Sequence, residues 1–290
     1  SMDSNILKTA ETYEKENIGL ELGKRVKSID REKQQISLTD GTNYAYDKLV
    51  LATGARAFIP PIKDIETAKN CFPMRSAQDA TAIQEAFQQL DNKRVVVIGG
   101  GYIGLETAAS LRKLGAEVVI LEREERILAR VTAPVMSTYF HQLHERKGVQ
   151  VFTNKNVSQI ARKGDSNEVF CSDGSSFEAD MIIVGVGIRV NQELAEAAGL
   201  DIDNGIKVNA ATQTSDENIY AIGDCTFHHN PHYNQWLRLE SVQNANDQAR
   251  VAAAAICGKE TQYNTIPRFR SDQYDTKLQT VGILQQYNNF

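Results

Sequence analysis

The chain has 290 residues, 41% of them hydrophobic and 24% charged, with a formal net charge of −5. That length suits two domains with cores of ordinary size. The negative balance speaks against a general affinity for nucleic acid, and no apolar run reaches the length needed to span a bilayer.

Four cysteines, Cys71, Cys171, Cys225 and Cys257, form no C-x-x-C pair. This argues against a zinc site or a local redox disulfide and fits thiols in a reducing compartment, so a cytoplasmic protein is expected. No signal peptide is visible, and Ser1-Met2 read as an expression remnant outside the fold.

In chain order, residues 18–54 carry short β patterns with the turn Thr39-Asp40-Gly41 between alternating stretches, as in hairpins. They close on an apolar strand, Leu49–Ala52, that ends in Thr53-Gly54. After Pro60-Pro61 a helix is expected, with Ser76 as N-cap, Asp79 three residues on, and Ala80, Ile83 and Phe87 at helical spacing. Val95–Ile98 reads as a strand, Ile103–Leu114 as a helix ended by Gly115, and Val118–Leu121 as the next strand. A helix beginning near Thr132 stops at Lys147-Gly148, and strand-rich sequence runs on to Ile188. This alternation is an α/β signature. "NIYAIGDC" supplies one more strand. Thr226 to Arg238 reads as an irregular loop, and "SVQNANDQARVAAAAICG" as a helix with a small-residue face. Neither a short-period repeat nor a low-complexity segment is evident.

The stretch "VVVIGGGYIGLE", Val95–Glu106, places a Gly-x-Gly-x-x-Gly turn between strand and helix. Gly99 permits the tight turn, Gly101 leaves room for pyrophosphate, and Gly104 lets the helix pack on the strand. The helix N-terminus offers free N–H groups and partial positive charge to phosphates. Glu122 ends the next strand, 21 residues beyond Gly101, where a carboxylate can accept hydrogen bonds from ribose hydroxyls and repel a 2′-phosphate. NAD is therefore favoured. Arg123 and Arg126, either of which could hold a 2′-phosphate, keep NADP open.

"LVLATGA" (49–55), "IIVGVGI" (182–188) and "IYAIGDC" (219–225) flank this turn, and with it they resemble the FAD- and NAD-dependent pyridine-nucleotide oxidoreductases. "RLESVQNANDQARVAAAAICG" and "SDQYDTKLQTVGIL" are similar to the ferredoxin/rubredoxin/putidaredoxin reductase branch. The likeness covers nearly the whole chain. It implies a Rossmann-like NAD domain inserted in an FAD domain, the three-layer ββα arrangement of glutathione reductase-like proteins. The family's FAD-binding glycine turn, expected near the N-terminus, does not occur here, so the FAD domain is expected to be incomplete and the chain a fragment or a divergent member. The implied division is 1–88 and 212–266 for the FAD domain, 89–211 for the NAD domain, and 267–290 for the opening of a C-terminal interface domain.

By that resemblance, Asp224 after Gly223 would accept from a flavin ribityl hydroxyl, the alternative being an Asp that caps the next turn. Thr53 and Gly54 would lie along the flavin dinucleotide. The backbone from Glu240 to Val242, opening a helix, would face the flavin pyrimidine, or Ser241 would simply cap that helix. Glu106 would orient the nicotinamide, the alternative being a surface acid favoured by the helix dipole. Tyr102 would cover the nicotinamide pocket, or merely pack. Gly185 and Gly187 would let the nicotinamide half approach the backbone. His228, His229 and His232 suggest a metal site only faintly; a solvated loop is expected, and His141 and His144 are expected at the surface.

The implied activity is NADH-dependent reduction of FAD, a hydride passing to flavin N5, followed by single-electron delivery to an iron–sulfur protein such as a ferredoxin or rubredoxin. Alternatives are a nucleotide-binding module without turnover, or an NADH oxidase or nitrite-reductase-like flavoenzyme. The oligomeric state is not indicated.

Overall fold

The computed structural model describes residues 8–284, which form two compact units. Of the described residues, one comprises 8–54 and 190–265, the other 55–189 and 266–284.

The second unit is built on a five-stranded parallel sheet in the order Cys71–Pro73, Met181–Val184, Arg94–Ile98, Glu117–Leu121, Gln150–Phe152. After the edge strand Cys71–Pro73 and its helix, the chain enters the central strand Arg94–Ile98, runs out through Glu117–Leu121 to Gln150–Phe152, and returns to Met181–Val184 on the other side. The turn after Ile98 therefore stands where the strand order reverses, the place such sheets keep for ligands. Val95, Val97, Met181 and Ile183 bury one face and Val96, Ile98, Ile182 and Val184 the other, as the strand period of two requires. The helices Ala77–Gln88, Tyr102–Lys113 and Pro134–Arg146 supply Phe87, Leu105, Leu111 and Phe140 to the first core. A three-stranded antiparallel meander, Val157–Lys163, Ser166–Cys171 and Ser176–Ala179, covers the second. Arg94 grips Asp180 through Nε and Nη2, each at 2.8 Å, and its guanidinium holds that carboxyl below the usual carboxylate range. A hairpin, Arg268–Gln273 with Thr276–Val281, completes the unit.

Residues 55–88 belong to this unit rather than to the one containing residues 8–54, because Cys71–Pro73 pairs with Met181–Val184 and the helix behind it buries Ile83 and Phe87 in the same core. Ser76 accepts from Asp79 N while Asp79 accepts from Ser76 N, the capping box its spacing predicts.

In the first unit a meander of Val26–Asp30, Gln35–Leu38 and Asn43–Ala45 turns at Gly41, whose φ is +89°. Leu49–Leu51 pairs in parallel with Ile219–Ala221. The helix Val242–Ile256 buries Asn244, Gln248 and Ala252. A short helix, Ala10–Lys15, precedes the meander and has no counterpart in the sequence reading.

The segment from Thr226 to Arg238 is not an irregular loop. Thr226–Asn230 and Gln235–Leu237 form an antiparallel hairpin, and the first of these strands also pairs in parallel with Gly205–Val208. His228 is buried, His229 is exposed beside Trp236, and His232 meets the Asn264 carbonyl. A strand sends neighbouring side chains to opposite faces, so these histidines do not converge. His144 likewise lies in the core, fully buried, instead of at the surface. Among the described residues no helix is long and apolar enough to cross a membrane.

Candidate dinucleotide sites

Each glycine of the turn in the second unit has its own steric reason. Gly99 has φ +106°, and a Cβ there would lie 2.6 Å from the Gly185 carbonyl oxygen. A Cβ on Gly104 would lie 2.0 Å from the Gly99 carbonyl oxygen, so helix and strand approach as closely as backbone allows. A Cβ on Gly101 would meet nothing within 4 Å. That open position sits at the N-cap of the helix Tyr102–Lys113, which no side chain caps. Its N-terminal N–H groups and dipole end thus face space that could take a pyrophosphate.

Glu122 has an inward task. One carboxylate oxygen accepts from Gly100 N at 2.6 Å and the other from Glu124 N at 2.8 Å. The acid therefore ties the glycine turn to the end of its strand, and each oxygen keeps acceptor capacity for a hydroxyl. Spacing alone finds the acid but not this second role. Leu128 N closes the turn from the other side by donating to the Gly100 carbonyl at 2.9 Å.

Of the two arginines beside Glu122, Arg126 is committed to structure. It donates to the carbonyls of Thr132 and Ala129 and to Ser137 Oγ, at 2.7–2.9 Å. Arg123 is exposed and paired with Glu124. Gly185 lacks a side chain because a Cβ would press on Gly104 Cα at 3.2 Å, a packing reason. Gly187, at φ +122° with open space around its Cβ position, remains accessible.

Glu106 is half-buried, and its Oε1 accepts from Ser271 Oγ at 2.6 Å. Tyr102 is half-buried too; burial raises its hydroxyl above the ordinary value, while a hydrogen bond from Thr280 works against that. The hairpin Arg268–Val281 thus touches both residues singled out for the nicotinamide.

In the first unit, Thr53 Oγ1 donates to the Asn191 carbonyl at 2.6 Å, and Asn191 Nδ2 returns a bond to the Thr53 carbonyl at 2.9 Å. Gly54, at φ +59° with nothing near its Cβ position, continues that bend. Gly223 opens a single 3-10 turn, Gly223–Cys225, at φ +79°, and half-buried Asp224 sits within it. Gln248 Oε1 fixes this turn by accepting from Gly223 N at 2.7 Å and from Thr226 Oγ1 at 3.0 Å. Ser241 caps the helix Val242–Ile256 by accepting from Asn244 N. Val242 is 80% exposed, and Glu240 is exposed and pairs with Arg238. The sequence reading missed Gln248 and Asn244. Their signal was four-residue spacing of polar side chains on the face of a helix that otherwise buries alanine.

The family model for pyridine nucleotide-disulphide oxidoreductases matches residues 3–249. The chain belongs to that family. Among family members, putidaredoxin reductase CamA of Pseudomonas putida is 42% identical over 99% of this chain and 68% of its own length. A rubredoxin-NAD(+) reductase of the same organism is 37% identical over 97% and 73%. Among solved structures, the reductase in a covalent putidaredoxin reductase–putidaredoxin complex superposes with a TM-score of 0.94 at 42% identity, covering 100% of this chain and 70% of that one. The ferredoxin reductase for the CYP199A2 system of Rhodopseudomonas palustris gives 0.94 at 38% identity over 98% and 70%. The α/β fold with its Rossmann-like strand order is that of the family.

Proposed function

We propose that the chain is the catalytic part of an NADH-dependent FAD oxidoreductase that delivers electrons to a ferredoxin- or rubredoxin-type iron–sulfur protein. The observation that carries this is the glycine turn with open space at Gly101, in a chain whose relatives are reductases of putidaredoxin and rubredoxin.

In the second unit Gly99, Gly101 and Gly104 would admit the NAD pyrophosphate to the helix end, and Glu122 would accept from the adenosine ribose. Arg126 is withdrawn into structure and Arg123 is paired with an acid, which supports NAD over NADP. Gly187 would give the nicotinamide half access to backbone, with Glu106 orienting the ring and Tyr102 covering its place. In the first unit Asp224, held by Gly223 and Gln248, would accept from the ribityl chain, and Thr53-Gly54 would line the dinucleotide. The N–H groups from Glu240 to Val242 would face the pyrimidine edge and favour negative charge there. When bound, the flavin supplies the change from two-electron to one-electron transfer; the protein contributes alignment and charge placement. A cytoplasmic setting suits the four free cysteines.

The test is spectral and then kinetic. Purified chain supplied with FAD should be yellow, bleach on anaerobic NADH, and reduce a ferredoxin or rubredoxin faster than it reduces oxygen. A colourless protein that still binds NADH would leave only a nucleotide-binding module, and faster turnover with oxygen would make it an oxidase.

A further inference from the structure

A file of hydrogen bonds runs through the second unit to Glu106. Ser271 Oγ donates to Glu106 Oε1 at 2.6 Å, and Gln273 Nε2 donates to Ser271 Oγ at 3.1 Å. Gln273 Oε1 lies 2.9 Å from His144 Nε2, and the Tyr274 hydroxyl lies 3.3 Å from His144 Nδ1. Ser271, Gln273 and His144 are 2%, 0% and 0% exposed. The chemistry of these groups leaves one direction for the protons. An ionised carboxylate accepts, so Ser271 donates; an amide oxygen accepts, so His144 carries its proton on Nε2; its Nδ1 then accepts from Tyr274. Every donor points toward Glu106, and bonds aligned head to tail polarise one another.

The far end is held at a conformational cost. Tyr274 adopts φ +58°, a region that side chains with a Cβ rarely occupy. Its carbonyl accepts from Lys113 Nζ at 2.9 Å, and Lys113 and Lys147 lie over its ring at 5.9 and 5.5 Å. Burial pushes the Tyr274 hydroxyl up to about 12 and lowers His144 from its ordinary value, which keeps the phenol a donor and the imidazole neutral near pH 7. The two-residue loop between Gln273 and Thr276 accounts for the φ of Tyr274, but simple packing of a hairpin against two helices does not require an uninterrupted file of buried polar groups beneath it.

We propose that Ser271, Gln273, His144 and Tyr274 are positioning residues that fix the Glu106 carboxylate for the nicotinamide, so that the hairpin Arg268–Val281 sets the geometry of the NAD site. This rests on the reading of Glu106 as the nicotinamide-facing acid.

Two measurements test it. Histidine-selective ¹⁵N spectra should show His144 neutral with its proton on Nε2, and Glu106→Gln should shift the His144 ring signals although the two side chains do not touch. An Nδ1–H tautomer, or signals blind to Glu106→Gln, overturns the relay whether or not the chain binds cofactor. Titration with NADH and with ADP-ribose then reads the consequence. Ser271→Ala should weaken NADH on the order of tenfold, the scale of a lost hydrogen bond to a charged group, with ADP-ribose unchanged. Ser271→Thr should restore it, and Ser271→Ala should add nothing once Glu106→Gln is present. Additive losses, or equal losses for ADP-ribose, reduce Ser271 to packing and sink the proposal. NADH affinity insensitive to Glu106→Gln fails the reading of Glu106 itself, a result distinct from failure of the relay.

Discussion

Gly101 and Gly104 lie in one turn yet should fail in different ways. Gly104→Ala places a methyl 2.0 Å from a backbone oxygen that cannot retreat without moving the strand. The expected loss is at least about 2 kcal/mol of stability, seen as a lower urea midpoint. Gly101→Ala meets no atom, and the backbone there, at φ −80°, suits alanine. Its stability should stay within about 0.5 kcal/mol of the parent, while NADH affinity falls because the methyl fills the place of the pyrophosphate. Unchanged NADH affinity in a folded Gly101→Ala protein would remove phosphate from that space. His228 makes a residue-scale prediction of another kind. Its ring is buried, Nε2 has no partner, and Nδ1 has only a long contact with Gln248 at 3.4 Å. Burial, reinforced by His229, pushes it down to about 4 from the ordinary 6.5. Above pH 6.5 both the folded and the unfolded chain are neutral here, and nothing is lost. Between 6.5 and 4 the unfolded chain takes a proton that the folded chain refuses, so stability falls with falling pH; below 4 the loss levels off. The full span is about 3 kcal/mol. Urea midpoints at pH 7 and pH 4.5 should differ less for His228→Phe than for the parent; equal differences would assign the acid sensitivity to other groups.

At the scale of elements, what the sequence made legible follows from which faces are apolar. The helix Ala77–Gln88 announced itself by its capping box and by Ile83 and Phe87 at helical spacing, and both signals correspond to real contacts. Ser76→Ala should therefore cost about 1 kcal/mol without changing NADH affinity, measured by thermal melt and titration together. The hairpin from Thr226 to Leu237 stayed hidden because its inward positions are Thr226, His228 and Asn230, all buried and all polar. A rule that looks for alternating hydrophobics cannot register a strand whose core side is hydrophilic. His144 was misplaced for a related reason. Its helix buries Ser137 and Phe140, and His144 lies seven and four residues beyond them on the same stripe. That spacing was visible, but the residue type argued for water. The steric form of the glycine turn, by contrast, was legible in detail, because glycine spacing records backbone proximity directly. The bond of Glu122 to Gly100 N and the grip of Gln248 on Gly223 were not, since each joins groups more than 20 residues apart whose meeting depends on the fold.

At the scale of the whole molecule, the two sets of nucleotide-binding candidates fall in different compact units. Gly99, Gly101, Gly104, Glu106 and Glu122 lie in residues 55–189, and Thr53, Asp224 and the cap at Ser241 lie in residues 8–54 and 190–265. A cofactor that binds the folded state stabilises what it touches by an amount set by its concentration over Kd, about 2.7 kcal/mol at a hundredfold excess. The two cofactors should consequently leave separate marks in amide hydrogen exchange. NADH alone should slow exchange at the backbone from Gly99 to Leu105, where the turn and the first helical N–H groups would meet phosphate. FAD alone should slow exchange at Gly223–Thr226 and at the helix start, Val242–Asn244. Because Gln248 joins the Gly223 turn to that helix through a buried bond to Gly223 N, FAD protection at these two segments should rise together, and Gln248→Leu should diminish both. Glu122→Ala should diminish only the NADH effect, since it releases Gly100 N from the strand that carries the acid. Protection by FAD confined to Gly99–Leu105, or by NADH confined to Gly223–Thr226, would reverse the assignment of the two nucleotides to the two units.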